Sequence, residues 1–141
     1  MDTSDLLNRW SASSLDEIQQ ELDAGKNQAA AAQLFGADTV AAMRSDSEMR
    51  GFSGPREAVV LLPGLMGSLL ASVQGKIMPL WLNPALFLRG EGHYLELNAT
   101  GTADGSPNIL TVATGCERLC YLQPALTLHR ECMLFEFPYD C

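Results

Sequence analysis

Residues 58–68, Ala-Val-Val-Leu-Leu-Pro-Gly-Leu-Met-Gly-Ser, run an apolar stretch straight into a Pro-Gly turn, then add a second glycine and a serine. Pro63 has no N–H and stops a β-ladder, while Gly64 and Gly67 allow the backbone to approach a ligand closely. Exposed backbone N–H groups at such a turn could hold an oxyanion, the group that develops when an acyl carbonyl is attacked. A tight strand-to-helix turn with no chemistry is the alternative reading of the same residues. Four cysteines, Cys116, Cys120, Cys132 and Cys141, lie together near the end of the sequence with His129 among them. They could supply tetrahedral ligands, but the paired Cys-x-x-Cys knuckles of zinc sites are missing, so reduced, partly buried thiols and no metal are expected.

Two further stretches bear on the first. Leu80-Trp-Leu-Asn-Pro84 follows it, and Phe137-Pro-Tyr-Asp140 comes near the end. The order VVLLPGLMGS, LWLNP, FPYD resembles the amino-terminal part of the lecithin:cholesterol acyltransferase-like branch of α/β-hydrolases. That branch also includes phospholipid:diacylglycerol acyltransferases and lysosomal-type phospholipases. The resemblance covers Ala58 to Asp140. It implies that Pro63, Gly64, Leu65, Met66, Gly67 and Ser68 form an oxyanion loop in which the backbone N–H of Leu65 is one of two donors to the tetrahedral intermediate. A donor of that kind is worth about 3 kcal/mol of transition-state stabilisation. It further implies that Gly64, Met66 and Trp81 contact substrate, Trp81 near a lid on the acyl or leaving-group side. Tyr139 and Asp140 match the start of a Tyr-Asp-Trp-Arg signature, with Cys141 at the position expected to be Trp.

The same resemblance implies a serine nucleophile in a Gly-x-Ser-x-Gly elbow, followed in order by an acid and a histidine. None stands in place here. Gly51-Phe-Ser-Gly-Pro55 precedes the first strand and has Pro where the second elbow glycine belongs. His93 and His129 precede any position a nucleophile could take in that chain order, and surface or packing roles are expected for both. The expectation is therefore a partial α/β-hydrolase fold, with the first core strands and the oxyanion loop, in a chain inactive alone because the catalytic Ser, acid and His are absent. Its full-length reaction would pass through an acyl-serine formed from a lipid or other acyl ester. No cofactor is expected. The alternative is a truncated or degenerate non-catalytic paralogue that acts as a protein-interaction module.

Composition narrows the partners. The chain is 47% hydrophobic and only 18% charged, which suits a globular core rather than disorder. Its net charge is −8, and both halves are acidic. Nucleic-acid binding and electrostatic docking on an anionic membrane are disfavoured, although apolar contact with a lipid is not. No stretch is long and apolar enough to span a membrane, and Met1 to Arg9 lacks the basic start and apolar centre of a signal peptide. A cytoplasmic location is expected. Nothing between Gly67 and Gly90 supplies the lid disulfides that the family's extracellular members use.

These candidates need elements to position them. Residues 1–44 read as a short α-helical prefix, 45–57 as a linker, and 58–141 as the incomplete amino-terminal part of a hydrolase domain. Ser14-Leu-Asp-Glu17 has capping-box spacing, and Leu15, Ile18 and Leu22 share one helical face before Gly25. Two more short helices are expected over 27–35 and after Gly36, the second capped by Asp38. Their apolar stripe could pack on the core or bind a protein partner, and packing is favoured because a short helix pair rarely holds together alone. In the second half, Ala58–Leu62 is expected as a strand buried on both faces of a parallel sheet. Tyr94–Leu97 and Ile109–Val112 are expected as a hairpin inserted across a turn-rich connection. A helix is expected over 117–130 that Pro124 kinks or splits, followed by a core strand over 133–137.

Overall fold

The computed structural model describes residues 2–44, 55–64, 66–74, 78–81 and 88–139. Among them the chain is mixed α/β, with five α-helices, a two-stranded parallel sheet and a three-stranded antiparallel sheet. It divides into two compact units, one made of Met1–Leu62 with Glu117–Glu136, the other of Pro63–Cys116 with Phe137–Cys141.

The first unit begins with a helix that the sequence reading did not anticipate. Helix α1 (Thr3–Ala12) starts where the Asp2 carboxylate accepts the N–H of Thr3. It buries Leu6 and Trp10, which lie four residues apart on one face. Helix α2 (Leu15–Asp23) has the expected capping box: Ser14 Oγ accepts from Glu17 N–H at 3.3 Å, and Glu17 Oε2 accepts from Ser14 N–H at 2.9 Å. Leu15, Ile18 and Leu22 face inward. Helices α3 (Gln28–Phe35) and α4 (Ala37–Met43) follow. The cap expected at Asp38 is corrected: Gly36 is the cap of α4, no side chain caps it, and Asp38 sits in the first turn, where its charge still favours the helix N-terminus.

The ring of Trp10 stacks on Phe35 with centroids 6.0 Å apart, and its indole N–H donates to Glu21 Oε2 at 3.0 Å. Arg9 pairs with the same carboxylate. Strands β1 (Ala58–Leu61) and, after all other strands in sequence, β5 (Met133–Glu136) pair in parallel with Val59 opposite Leu134 and Leu61 opposite Glu136. Helix α5 (Arg118–Glu131) directly precedes β5 in sequence, and its Glu117 cap accepts from the N–H groups of Leu119 and Cys120. Pro124 does not split α5, which continues through it although proline has no N–H to donate to the carbonyl four residues back.

One core joins these parts. Leu6, Trp10, Ile18, Leu22, Val40 and Met43 from α1, α2 and α4 cluster with Leu122, Ala125 and Leu126 of α5, and Leu61 and Leu134 pack against them. The apolar stripe of the prefix is thus buried within its own unit. Arg118 is nearly buried, and its guanidinium holds Glu136 of β5 through two contacts, Nη1 to Oε1 at 2.5 Å and Nη2 to Oε2 at 3.2 Å. Its Nε also donates to the carbonyl of Trp10 at 3.4 Å. His129 at the other end of α5 contacts Asp16 Oδ1 at 2.9 Å.

The expectation that Ala58–Leu62 is buried on both faces is corrected. Helices cover the face bearing Leu61 and Leu134, whereas Val60, Met133 and Phe135 on the other face are half exposed. The alternation of a strand sends every second side chain to the uncovered face, whatever its polarity.

In the second unit, β2 (Ser68–Ser72) is the central strand, flanked by β3 (Met78–Pro79) and β4 (Thr111–Cys116), both antiparallel to it. The ladder to β4 shifts register between Leu69 and Leu70. Leu80 and Ile109 form a small core with Met78, Tyr94 and Leu95. The expected hairpin is only partly formed. Residues Glu91–Leu95 make a 3-10 turn, and the pairing that remains is a single antiparallel bridge between Leu97 and Asp104. The returning segment enters β4 and pairs with β2 instead, where all five residues of β2 find partners.

Candidate functional site

Strand β1 ends at Leu61, and Gly64 follows three residues later; β5 ends at Glu136, and Tyr139 follows three residues later. In sequence, therefore, the carboxyl ends of both parallel strands lead to residues of one cavity in the second unit. The cavity has a volume of about 470 Å³, within the range of roughly 300–1,000 Å³ that small-molecule sites occupy. Gly64, Met66, Trp81 and Tyr139 line it, with Ser68 and Leu70 of β2. Leu95, Leu97, Gly101, Asp104 and Thr111 complete the wall.

Three of the four residues singled out by sequence, Gly64, Met66 and Trp81, thus share one cavity. The fourth, Leu65, lies outside the described residues, as do Asp140 and Cys141. Around it the backbone is tightly held. Gly67 N–H donates to the carbonyl of Gly64 at 2.9 Å. Met66 has φ 66°, a left-handed conformation that costs a non-glycine residue roughly 1–2 kcal/mol. The indole N–H of Trp81 donates to the carbonyl of Met66 at 3.2 Å. A second pair of backbone bonds fixes that part of the chain, since the N–H groups of Leu80 and Trp81 both donate to the carbonyl of Leu70.

Ser68 is buried, and its Oγ accepts the backbone N–H of Tyr139 at 3.0 Å. A serine so placed ties two distant chain segments together. No histidine lines the cavity among the described residues, so none stands there to take a proton from Ser68.

The polar part of the cavity was not legible in the sequence. Asp104 Oδ2 accepts the N–H of Thr111 at 2.8 Å, while its Oδ1 takes no hydrogen bond among the described residues. Thr111 Oγ1 is withdrawn from solvent and also has no partner there, an arrangement that costs about 1–3 kcal/mol for a buried polar group. Gly105 sets the approach of this segment to Leu97. A side chain on it would place Cβ 2.8 Å from the carbonyl oxygen of Glu96, to which Gly105 N–H donates at 2.6 Å. In sequence, Asp104-Gly105 reads only as a turn signal, and nothing local announces that the carboxylate meets a β-strand seven residues on.

The cysteines and histidines stand elsewhere. Cys116 is buried at the end of β4, Cys120 is exposed on α5, and Cys132 caps α5. The Cys120 thiol has its pKa raised, first by the negative charge of Glu117, then by burial and by hydrogen bonding to the same residue. His93 is exposed and tilts against Tyr94. Among the described residues no three His, Cys, Asp or Glu side chains gather as metal ligands, and no helix is long and apolar enough to cross a membrane. Comparison of the chain with protein-family models, with curated proteins and with solved structures found no match.

Proposed function

We propose that this chain is the amino-terminal part of a serine α/β-hydrolase of the lipid esterase, phospholipase or acyltransferase type. It carries the oxyanion loop at Gly64-Leu65-Met66 but not the nucleophile elbow or the triad. The observation that supports the reading best is the convergence on one cavity of Gly64, Met66, Trp81 and Tyr139, drawn from the three short motifs of the resemblance. The left-handed Met66 is also in keeping with a functional turn, since backbone strain concentrates at such places.

In that reading Ser68 is a strut rather than a nucleophile, because its Oγ is buried and engaged by Tyr139 N–H. Attack on an acyl carbonyl would come from a serine supplied by later sequence, with the Leu65 N–H as an oxyanion donor and water or an alcohol receiving the acyl group. Two experiments test it. A fluorophosphonate probe should leave the 141-residue chain unlabelled; stoichiometric labelling at Ser68 or Ser53 overturns the assignment of the nucleophile. Coding DNA read past the Cys141 codon in all frames should reveal a Gly-x-Ser-x-Gly elbow, then an acid and a histidine; unrelated sequence there overturns the family reading.

The second reading, a non-catalytic interaction module in the cytoplasm, draws on a different observation. The prefix keeps its apolar stripe inside, but Val60, Met133 and Phe135 leave one face of the parallel sheet open. A protein contact would use that face rather than the helices.

A further inference from the structure

The cavity of the second unit is apolar on most sides, with Leu70, Leu95, Leu97 and Trp81 in its wall, yet it contains a carboxylate. No Lys, Arg or His lines it among the described residues, so nothing there compensates that charge. The carboxylate oxygen left over, Asp104 Oδ1, can accept a hydrogen bond, whereas Thr111 Oγ1 is closed off from the cavity. The bond from Thr111 N–H to Asp104 Oδ2 holds that carboxylate in place. Trp81 adds an aromatic face, and its N–H is already committed to Met66.

We propose that this cavity binds a primary ammonium group carried on an apolar body, such as a single alkyl chain. A primary ammonium brings three donors and no acceptor, which matches a carboxylate oxygen that has no donor. Its charge answers that of Asp104, an indole face favours a nearby cation, and the apolar body fills the space between the leucines. A fatty carboxylate of the same length is repelled by Asp104. A neutral alcohol fills the apolar space but makes a weaker bond. The inference rests on reading the cavity as a ligand site, as in the proposed function, and is independent of the acyl chemistry proposed there.

Isothermal titration of the 141-residue chain with octylamine, 1-octanol and octanoate at neutral pH separates these outcomes. Octylamine is expected to bind about tenfold more tightly than octanol, the ratio that one charge-assisted hydrogen bond supplies, with octanoate weakest. Asp104→Asn retains an acceptor for Thr111 N–H and should erase that preference, bringing octylamine down to the affinity of octanol. Asp38→Asn removes the same unit of charge from an exposed site on α4 and should change nothing, which distinguishes the cavity from general attraction to an acidic protein. Equal affinity for octylamine and octanol, or a preference for octanoate, overturns the ammonium assignment and leaves the ligand site standing. Binding of none of the three overturns both. A preference for octylamine that survives Asp104→Asn but falls in Asp38→Asn also overturns it.

Discussion

The indole N–H of Trp81 donates to the carbonyl of Met66, the one described residue of the Pro63–Ser68 turn with a left-handed backbone. The bond joins two of the short motifs that the sequence keeps apart. It also explains what holds Met66 at φ 66°, since the side chain itself is 58% exposed and contributes little burial.

Replacing Met66 by glycine therefore stabilises the protein. The left-handed conformation costs roughly 1–2 kcal/mol for a residue with a Cβ, and glycine gives back about 0.5–1 kcal/mol through the greater freedom of the unfolded chain. The expected net gain is on the order of 0.5–1 kcal/mol, read as a higher urea midpoint with an unchanged slope. Met66→Ala retains the Cβ and should show no such gain. A glycine variant less stable than the alanine variant would mean that the Met66 side chain holds the turn.

The pair Arg118–Glu136 makes a second test. Arg118 has a side chain only 5% exposed, so its partner cannot be removed without leaving a charge poorly solvated. Breaking a buried pair from one side costs about 3–5 kcal/mol, and the partial exposure of Glu136, at 20%, brings the expectation for Arg118→Met down to about 2–3 kcal/mol. The double variant Arg118→Met, Glu136→Leu should recover part of that loss, because apolar residues of similar volume replace the pair without an orphan. A double-mutant cycle in denaturant measures this; additive losses would show that the two side chains do not stabilise one another.

Local rules carried the reading furthest where structure is local. The box at Ser14 and Glu17, the inward face of Leu15, Ile18 and Leu22, and the strand positions at Ala58–Leu61 and Met133–Glu136 all follow from spacing within a few residues. Helix α1 escaped notice because Thr3–Ala12 has only Leu6, Leu7 and Trp10 as large apolar residues, and its core partner Phe35 lies far along the chain. The openness of one sheet face escaped for a related reason: apolar runs report what a strand could bury, not how many layers are there to bury it. The polar corner of the cavity depends on a bond from Thr111 to Asp104 and on a register between β2 and β4, neither of which has a pattern in the sequence. The resemblance supplied residues that turned out to share a cavity, but Leu65, its central residue, lies outside the described chain.

Cys120 should be a slow nucleophile at neutral pH despite its exposure. The charge of Glu117 raises its pKa above the ordinary thiol value, so the thiolate fraction is small and grows as pH rises. Alkylation by iodoacetamide, followed by intact-mass spectrometry, is expected to speed up steadily from pH 7 to pH 10. Glu117→Gln removes the charge and keeps an acceptor for the N–H groups of Leu119 and Cys120, so it should shift that profile to lower pH. An unchanged profile in Glu117→Gln would remove the carboxylate as the cause.

The hairpin that delivers Asp104 depends on Gly105. A methyl group there meets the carbonyl oxygen of Glu96 at 2.8 Å and that of Leu97 at 3.2 Å, and both are backbone atoms that cannot swing aside. The Gly105 N–H to Glu96 bond would have to lengthen, carrying Asp104 away from Thr111 N–H. Gly105→Ala is accordingly expected to cost about 1–3 kcal/mol, the range for overpacking against a rigid neighbour. It should also expose the Thr111 amide to faster hydrogen exchange, as its bond to Asp104 Oδ2 loosens. Gly101 lies on the same connection with φ 68° but with nothing within 4 Å of its added Cβ. Asparagine tolerates that conformation, so Gly101→Asn should leave the Thr111 amide protected. The contrast between the two glycines separates close approach from backbone freedom: if Gly101→Asn opened the Thr111 amide as far as Gly105→Ala did, the wall of the cavity would depend on the turn's flexibility and not on the contact with Glu96.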